Sequence, residues 1–382
     1  MTNTDHSLYA DLVIGTRPNI VKAAPLLAAM MDADWCHPQL VFLMQHTDAA
    51  LASEPMADLG IPANHPIYLH LTHRGYGARL GEMIEAYSAR LNDNRPDLVI
   101  VFGDVDTTLA AAYAAKRSNI PLAHVEAGLR SNDRSMPEEL NRLLVDAITD
   151  IHFTTSEDAL QRLVEVEGHL SVNVHNVGNL MIDSLISTVD RAHGRSLCVQ
   201  MDVLPSAFGL ATFHRPSNVD SVEKLQELLQ MLRAACSLIP IILPLHPRTA
   251  AALSRFNLEN EIREIPGLTL IKALRYRDFV SLLSQARVVL TDSGGLQEEC
   301  SILGVHCLTV RTSTERPVTL RLGSNQLVTP AQVSHVLEKV LNESQPAPAS
   351  IPLWDGRTAQ RIVTVLQPLA KERSMLAGVR TT

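Results

Sequence analysis

Short apolar runs rich in Val, Ile and Leu alternate with longer stretches of helical periodicity along almost the whole chain, and this alternation restricts the fold more than any other feature. In the first half the runs lie at residues 10–14, 40–43, 98–102, 122–125 and 151–154; in the second they lie at 210–213, 241–245, 268–271, 288–291 and 307–310. Between them run periodic segments such as 222–238. Parallel strands are buried on both faces and need long crossovers, so the pattern reads as parallel sheets with intervening helices. Two such series over 382 residues, a length at which one core rarely keeps growing, predict an α/β protein of two Rossmann-like, doubly wound domains. Residues 172–177 read as the first strand of the second series, which places the junction near Leu170. The expected first domain is 1–170 and the second 171–354, with a final helix within 355–382 placed to pack back on the first.

Apolar residues make up 46 % and charged residues 19 %, as in ordinary globular proteins. A formal net charge of -8 without any basic tract longer than a pair argues against nucleic-acid binding. The chain starts without a signal-peptide pattern, and no apolar run approaches the ~20 residues of a membrane span, so a cytoplasmic protein without membrane insertion is expected. Cys36, Cys198, Cys236, Cys300 and Cys307 show no CxxC spacing, and no HExxH, GxGxxG or Walker loop occurs. Neither a required metal nor a cofactor is expected.

Candidate site residues cluster at the predicted strand ends. Gly15-Thr16-Arg17-Pro18 follows the first strand, and Pro18 suits the first turn of a helix, whose free N–H groups attract anions, with Arg17 and Lys22 adding charge. An ordinary strand-to-helix turn is the plain alternative. Asp292-Ser293-Gly294-Gly295 also follows a strand and opens a helix; the glycines let backbone approach a diphosphate, and Glu299, one turn in, is placed to accept from ribose hydroxyls. Helix capping alone is the alternative there. Asp104 and Glu126 end two successive strands, at the sheet edge that faces ligands in such folds, and are candidate proton-transfer groups. Glu138 and Arg142 lie four apart on a helix that starts at Pro137, which taken alone describes a surface ion pair worth ~0.3–0.5 kcal/mol. His214 and His246 end two strands of the second series.

Together GTRPNIVKAAPL, MQH, GDVDTTLAAAYAA, HVEAGLRSNDRSMPEELNR, FHRPSNVD, LTDSGGLQEE, TERPV and LWDG, in this order and spacing, resemble the non-hydrolysing UDP-N-acetylglucosamine 2-epimerases. The resemblance runs from about Asp11 to Ile362. It implies the GT-B architecture, two Rossmann-like domains facing across a cleft, usually in a homodimer. The implied reaction is C2 epimerisation of a UDP-N-acetylhexosamine by loss and return of UDP through 2-acetamidoglucal, in polysaccharide biosynthesis. By the same resemblance, Asp104, Glu126 and Glu138 are catalytic, with His214 an acid for the leaving oxygen. Arg17, Lys22, Arg142, His246, Ser293, Gly294, Gly295, Glu299 and Arg316 bind substrate. Gln45, His46 and Arg215 hold an activating second nucleotide sugar in family members. Here Leu43-Met44 replace the Thr-Gly that often precedes Gln-His, and Asp48 adds a negative charge, so weak or absent activation is expected. A GT-B glycosyltransferase, a hydrolysing epimerase and an inactive UDP-sugar sensor are the competing readings.

Overall fold

The computed structural model describes residues 7–45, 55–73 and 75–379. It divides into two units, Met1–Ser187 with Pro352–Thr382, and Thr188–Ile351. The first carries strands β1 (Leu8–Ile14), β2 (Cys36–Gln45), β3 (Ile67–Leu71), β4 (Leu98–Phe102), β5 (Leu122–Val125), β6 (Ile151–Thr154) and β7 (Val174–Asn176). They pair in parallel in the order β3-β2-β1-β4-β5-β6-β7. Side chains alternate across each strand. On β1, Leu12 and Ile14 enter one apolar cluster with Ile20 and Leu27 of the helix Arg17–Met31, while Val13 enters another with Tyr87 and Leu91. All five residues of β4 are buried, which is why its sequence, LVIVF, is apolar throughout.

The second unit holds β8 (Gly209–Thr212), β9 (Ile241–Leu245), β10 (Leu268–Lys272), β11 (Val288–Thr291), β12 (His306–Val310) and β13 (Asn325–Val328), all parallel, in the order β10-β9-β8-β11-β12-β13. The helix Val222–Cys236 buries Leu225, Leu228, Leu229 and Leu232, the spacing of one helical face, and the Ser221 side chain caps its start by accepting from Lys224 N–H. Each sheet reverses its strand order once about its first strand, between β1 and β4 and between β8 and β11. Ligands of doubly wound sheets bind outside the carboxyl ends at such points.

The junction lies at Ser187, not near Leu170. The strand expected to open the second domain is β7, whose backbone pairs with β6 and completes the first sheet. After it, Val177 and Leu180 bury in the first unit's core, and Ser184 Oγ donates to Val21 O, so the helix Leu180–Thr188 is held there too. The second unit also ends at Ile351 rather than 354. Trp354 Nε1 donates to Thr155 O, and Asp183 accepts from Thr358 N–H and Ala359 N–H at 3.2 and 2.8 Å, capping the helix Thr358–Val379. Ala359, Ile362 and Leu366 of that helix join the core of the first unit. No described helix is long and apolar enough to cross a membrane.

Candidate active site

In the first unit the strand ends β1, β4 and β5 bring Lys22, Asp104, Glu126 and Arg142 into two ion pairs. The helix Arg17–Met31 opens directly after β1 with Pro18 in its first turn; Arg17 is exposed there, and Lys22, further along, is buried. Lys22 Nζ pairs closely with Glu126 Oε2. Glu126 is 4 % exposed and sits at φ 67°, a left-handed conformation that non-glycine residues adopt at a cost of roughly 1–3 kcal/mol. The turn aims its carboxylate back across the end of β4. Gly103, also left-handed at φ 66°, makes room: a Cβ there would stand 3.1 Å from Lys22 Nζ and 3.2 Å from Glu126 Oε2.

The helix Pro137–Ile148 supplies the rest of this cluster, and it corrects the expected pairing. Arg142 does not bind Glu138; its guanidinium pairs with Asp104 and, at 2.9 Å, with Glu139 Oε2. Glu139, which the sequence reading passed over, is 2 % exposed. Its carboxylate accepts from Ser131 N–H, Ser131 Oγ and Asn132 N–H at 2.7, 2.9 and 3.0 Å. Burial alone would raise its pKa, but these donors and Arg142 hold it below the ordinary value. Glu138 on the neighbouring face is half-buried, and no hydrogen bond or ion pair ties it to another described residue. Asn141 Nδ2 donates to Asp104 O at 2.9 Å, so this helix holds both the backbone and the side chain of Asp104.

In the second unit the ends of β8 and β11 are joined by Asp292, fully buried, whose carboxylate accepts from His214 N–H at 3.1 Å, Arg215 N–H at 2.9 Å and Asn218 Nδ2 at 3.0 Å. His214 Nδ1 lies 3.4 Å from the same carboxylate, and its ring stands 4.9 Å from that of His246, which caps the helix Pro247–Arg255. Burial lowers the His214 pKa, and the charges of Arg215 and Arg248 add to this against the opposing pull of Asp292. Ser293 precedes the helix Gly294–Leu303, which holds Gly294, Gly295 and Glu299. Arg316 packs against Gly294 with Nε 2.7 Å from Glu298 Oε1 and Nη1 on Glu315, and Arg311 pairs with Glu315 at 2.8 Å. The guanidinium expected to meet a diphosphate is thus already set between two buried carboxylates.

Glu299 points inward and accepts from Tyr276 Oη at 3.0 Å. Burial raises its pKa to about 8, helped by Glu298 and opposed by the Tyr276 hydrogen bond. The unfolded chain releases this proton near the usual 4.5, the folded protein near 8, so between about pH 5 and 8 the unfolded state binds fewer protons and stability falls as pH rises. Urea unfolding midpoints at pH 5.5 and 8 are expected to show that fall, and Glu299→Gln is expected to flatten it. An unchanged slope in the variant contradicts the assignment.

Of the regulatory candidates, Arg215 is fastened by its Nε to Asp292 O at 3.0 Å and by Nη2 to Glu315 at 3.7 Å. Gln45 ends β2, with its side chain outside the described set; His46 and Asp48 lie outside the described residues.

The family model for UDP-N-acetylglucosamine 2-epimerase matches residues 28–367. The UDP-N-acetylglucosamine 2-epimerase of Methanocaldococcus jannaschii is 33 % identical over 369 residues, covering 93 % of this chain and 98 % of its own. The UDP-2,3-diacetamido-2,3-dideoxy-D-glucuronate 2-epimerase of Pseudomonas aeruginosa is 35 % identical over 320 residues, 83 % and 87 % of the two chains. Among solved structures, the M. jannaschii enzyme in complex with UDP-GlcNAc and UDP matches with a TM-score of 0.86 at 32 % identity, over 94 % of this chain and 99 % of that one. With matches that span both units and nearly the full length of these relatives, the chain belongs to the UDP-N-acetylglucosamine 2-epimerase family.

Proposed function

We propose that the protein interconverts UDP-N-acetylglucosamine and UDP-N-acetylmannosamine by inverting C2, without releasing free sugar. The observation that carries this reading is the pair of acids, Asp104 and Glu126, each fastened by a cation at a strand end beside the first unit's switch point, in a chain of this family. The C1–O bond to UDP breaks as the C2 proton is removed, giving 2-acetamidoglucal and UDP; UDP then re-adds at C1 while C2 takes a proton on the opposite face. Asp104, Glu126 and Glu138 are the groups that exchange that proton, with Arg142 paired to the first and Lys22 to the second. Arg17 adds positive charge for the phosphates. Ser293, Gly294 and Gly295, at a helix N-terminus, bind the diphosphate with Arg316 and His246, and Glu299 the ribose. His214 is the acid for the leaving oxygen, its ring N–H donating to that oxygen as the C1–O bond breaks, and the return of UDP reverses this.

A second substrate reading has one specific support: the P. aeruginosa relative named for a C3- and C6-modified UDP-hexosamine is 35 % identical. The five buried free cysteines suit a reducing cytoplasm. Family resemblance supports a homodimer and a role in polysaccharide biosynthesis, with Gln45, His46 and Arg215 at an effector site of weak coupling.

Incubation with UDP-N-acetylglucosamine, followed by proton NMR, tests the proposal. An equilibrium mixture of the two UDP-sugars is expected. Free N-acetylmannosamine would mark a hydrolysing enzyme, and an unchanged substrate a glycosyltransferase or a sensor; with the diacetamido uronate turned over instead, the second substrate reading replaces the first.

A further inference from the structure

The proton-transfer roles above use neither His124 nor Asp146, although both side chains are fully buried in the first unit. Asp146 Oδ1 lies 2.6 Å from His124 Nδ1, and Asp146 Oδ2 accepts from Gly128 N–H at 3.0 Å and pairs with Arg130 Nη2 at 2.7 Å. The other ring nitrogen of His124, Nε2, is 2.8 Å from Gly103 O. Arg130 continues to Glu167 through two hydrogen bonds of 2.9 and 2.7 Å. His152 Nε2 donates to the Asp146 carbonyl at 3.0 Å, with the His169 ring 4.5 Å from its own.

A carbonyl only accepts, and so does an ionised carboxylate; a ring with one at each nitrogen carries a proton on both. Each ring nitrogen of His124 faces such an acceptor, and the Arg130 guanidinium lies against both Asp146 and Glu167. Burial raises the Asp146 pKa, but His124, Arg130 and the Gly128 N–H together hold it well below the usual carboxylate range. Buried ion pairs of this kind are poor sources of net stability, because desolvation offsets their attraction. What this one does is join three places. Gly103 precedes Asp104, Gly128 closes the turn that Glu126 begins, and Asp146 lies on the helix that carries Glu138 and Arg142.

We propose that the His124–Asp146 pair, backed by Arg130, is the positioning device of the reaction, one buried carboxylate that sets Asp104, Glu126 and the Glu138 helix relative to one another. This rests on the proton-transfer reading above. His124 and Asp146 are positioning residues, since neither side chain reaches solvent.

The test uses the full chain, with Asp146→Asn as the main variant and His124→Gln, which keeps an N–H for Gly103 O, as the conservative one. In Asp146→Asn, kcat is expected to fall by about 100-fold, the scale of a misplacement near 1 Å, while KM and the UDP dissociation constant stay within about threefold because nucleotide binding is assigned to other residues. His124→Gln is expected to recover part of that loss. Hydrogen–deuterium exchange is expected to quicken in peptides covering 102–106 and 125–130 and to stay unchanged in β8–β13. In the unaltered protein, nitrogen-15 NMR of labelled histidine is expected to show two N–H protons on His124. A single N–H on that ring, or unchanged exchange at 102–106 and 125–130 in folded variants, overturns the proposal even if the protein proves not to be an epimerase. A folded Asp146→Asn that melts lower but keeps its kcat reduces the pair to a purely structural role; if that variant does not fold, His124→Gln carries the same readouts.

Discussion

A Glu138→Gln variant is expected to lose turnover by about 10²–10⁴-fold, the range of general acid–base catalysis, while its melting temperature stays close to that of the unaltered protein. Glu138 is half-buried and is tied to no other described residue, so the amide leaves no buried partner unsatisfied. Its one favourable term is the charge in the first turn of a helix, worth about 0.3–1 kcal/mol at an exposed site. Glu139→Gln is expected to behave in the opposite way. That carboxylate accepts from Ser131 N–H and Oγ, Asn132 N–H and Arg142, so its loss is expected to destabilise by about 1–3 kcal/mol or more. Thermal melts and steady-state kinetics on the two variants separate the roles. Near-normal turnover in Glu138→Gln would remove it from the chemistry.

Arg316→Ala is expected to damage both folding and nucleotide binding. The guanidinium bridges Glu298 and Glu315, whose side chains are 1 % and 2 % exposed. Removing one partner from a buried ion pair typically costs about 3–5 kcal/mol, because the remaining charge stays desolvated. Arg311 still pairs with Glu315 in the variant. The same change removes the cation packed against Gly294 at the turn assigned to the diphosphate. UDP is expected to raise the melting temperature of the unaltered protein by mass action and to raise that of the variant little. A variant with unchanged melting temperature and an unchanged UDP-induced shift contradicts both roles.

The strand ends were legible in the sequence because a β-rich apolar run followed by Gly, Pro or Asp marks both the end of a buried parallel strand and the start of a crossover. Asp104, Glu126, His214 and Ser293 were found that way, and the structure places each after a strand. Of the four edge strands, β7 and β10 were legible and β3 and β13 were not, and β3 is mostly half-buried, as an edge can be. β7 was read as a strand but assigned to the wrong sheet, because pairing with β6 is a long-range choice that a short run does not encode. Arg142 shows the same limit at the level of one side chain. Glu138, four residues away, is the partner that local spacing suggests, yet Arg142 takes Asp104, 38 residues distant, and Glu139 on its own helix. The His124–Asp146 pair, 22 residues apart, carried no sequence signal beyond His124 standing two residues before Glu126.

The most direct measurement is turnover of UDP-N-acetylglucosamine in heavy water, followed by NMR at C2 of both epimers. Proton removal at C2 by Asp104, Glu126 and Glu138 predicts that deuterium enters C2 of both UDP-sugars as the mixture approaches equilibrium. Epimers that interconvert while C2 keeps its original hydrogen would contradict that chemistry and the roles assigned to all three acids.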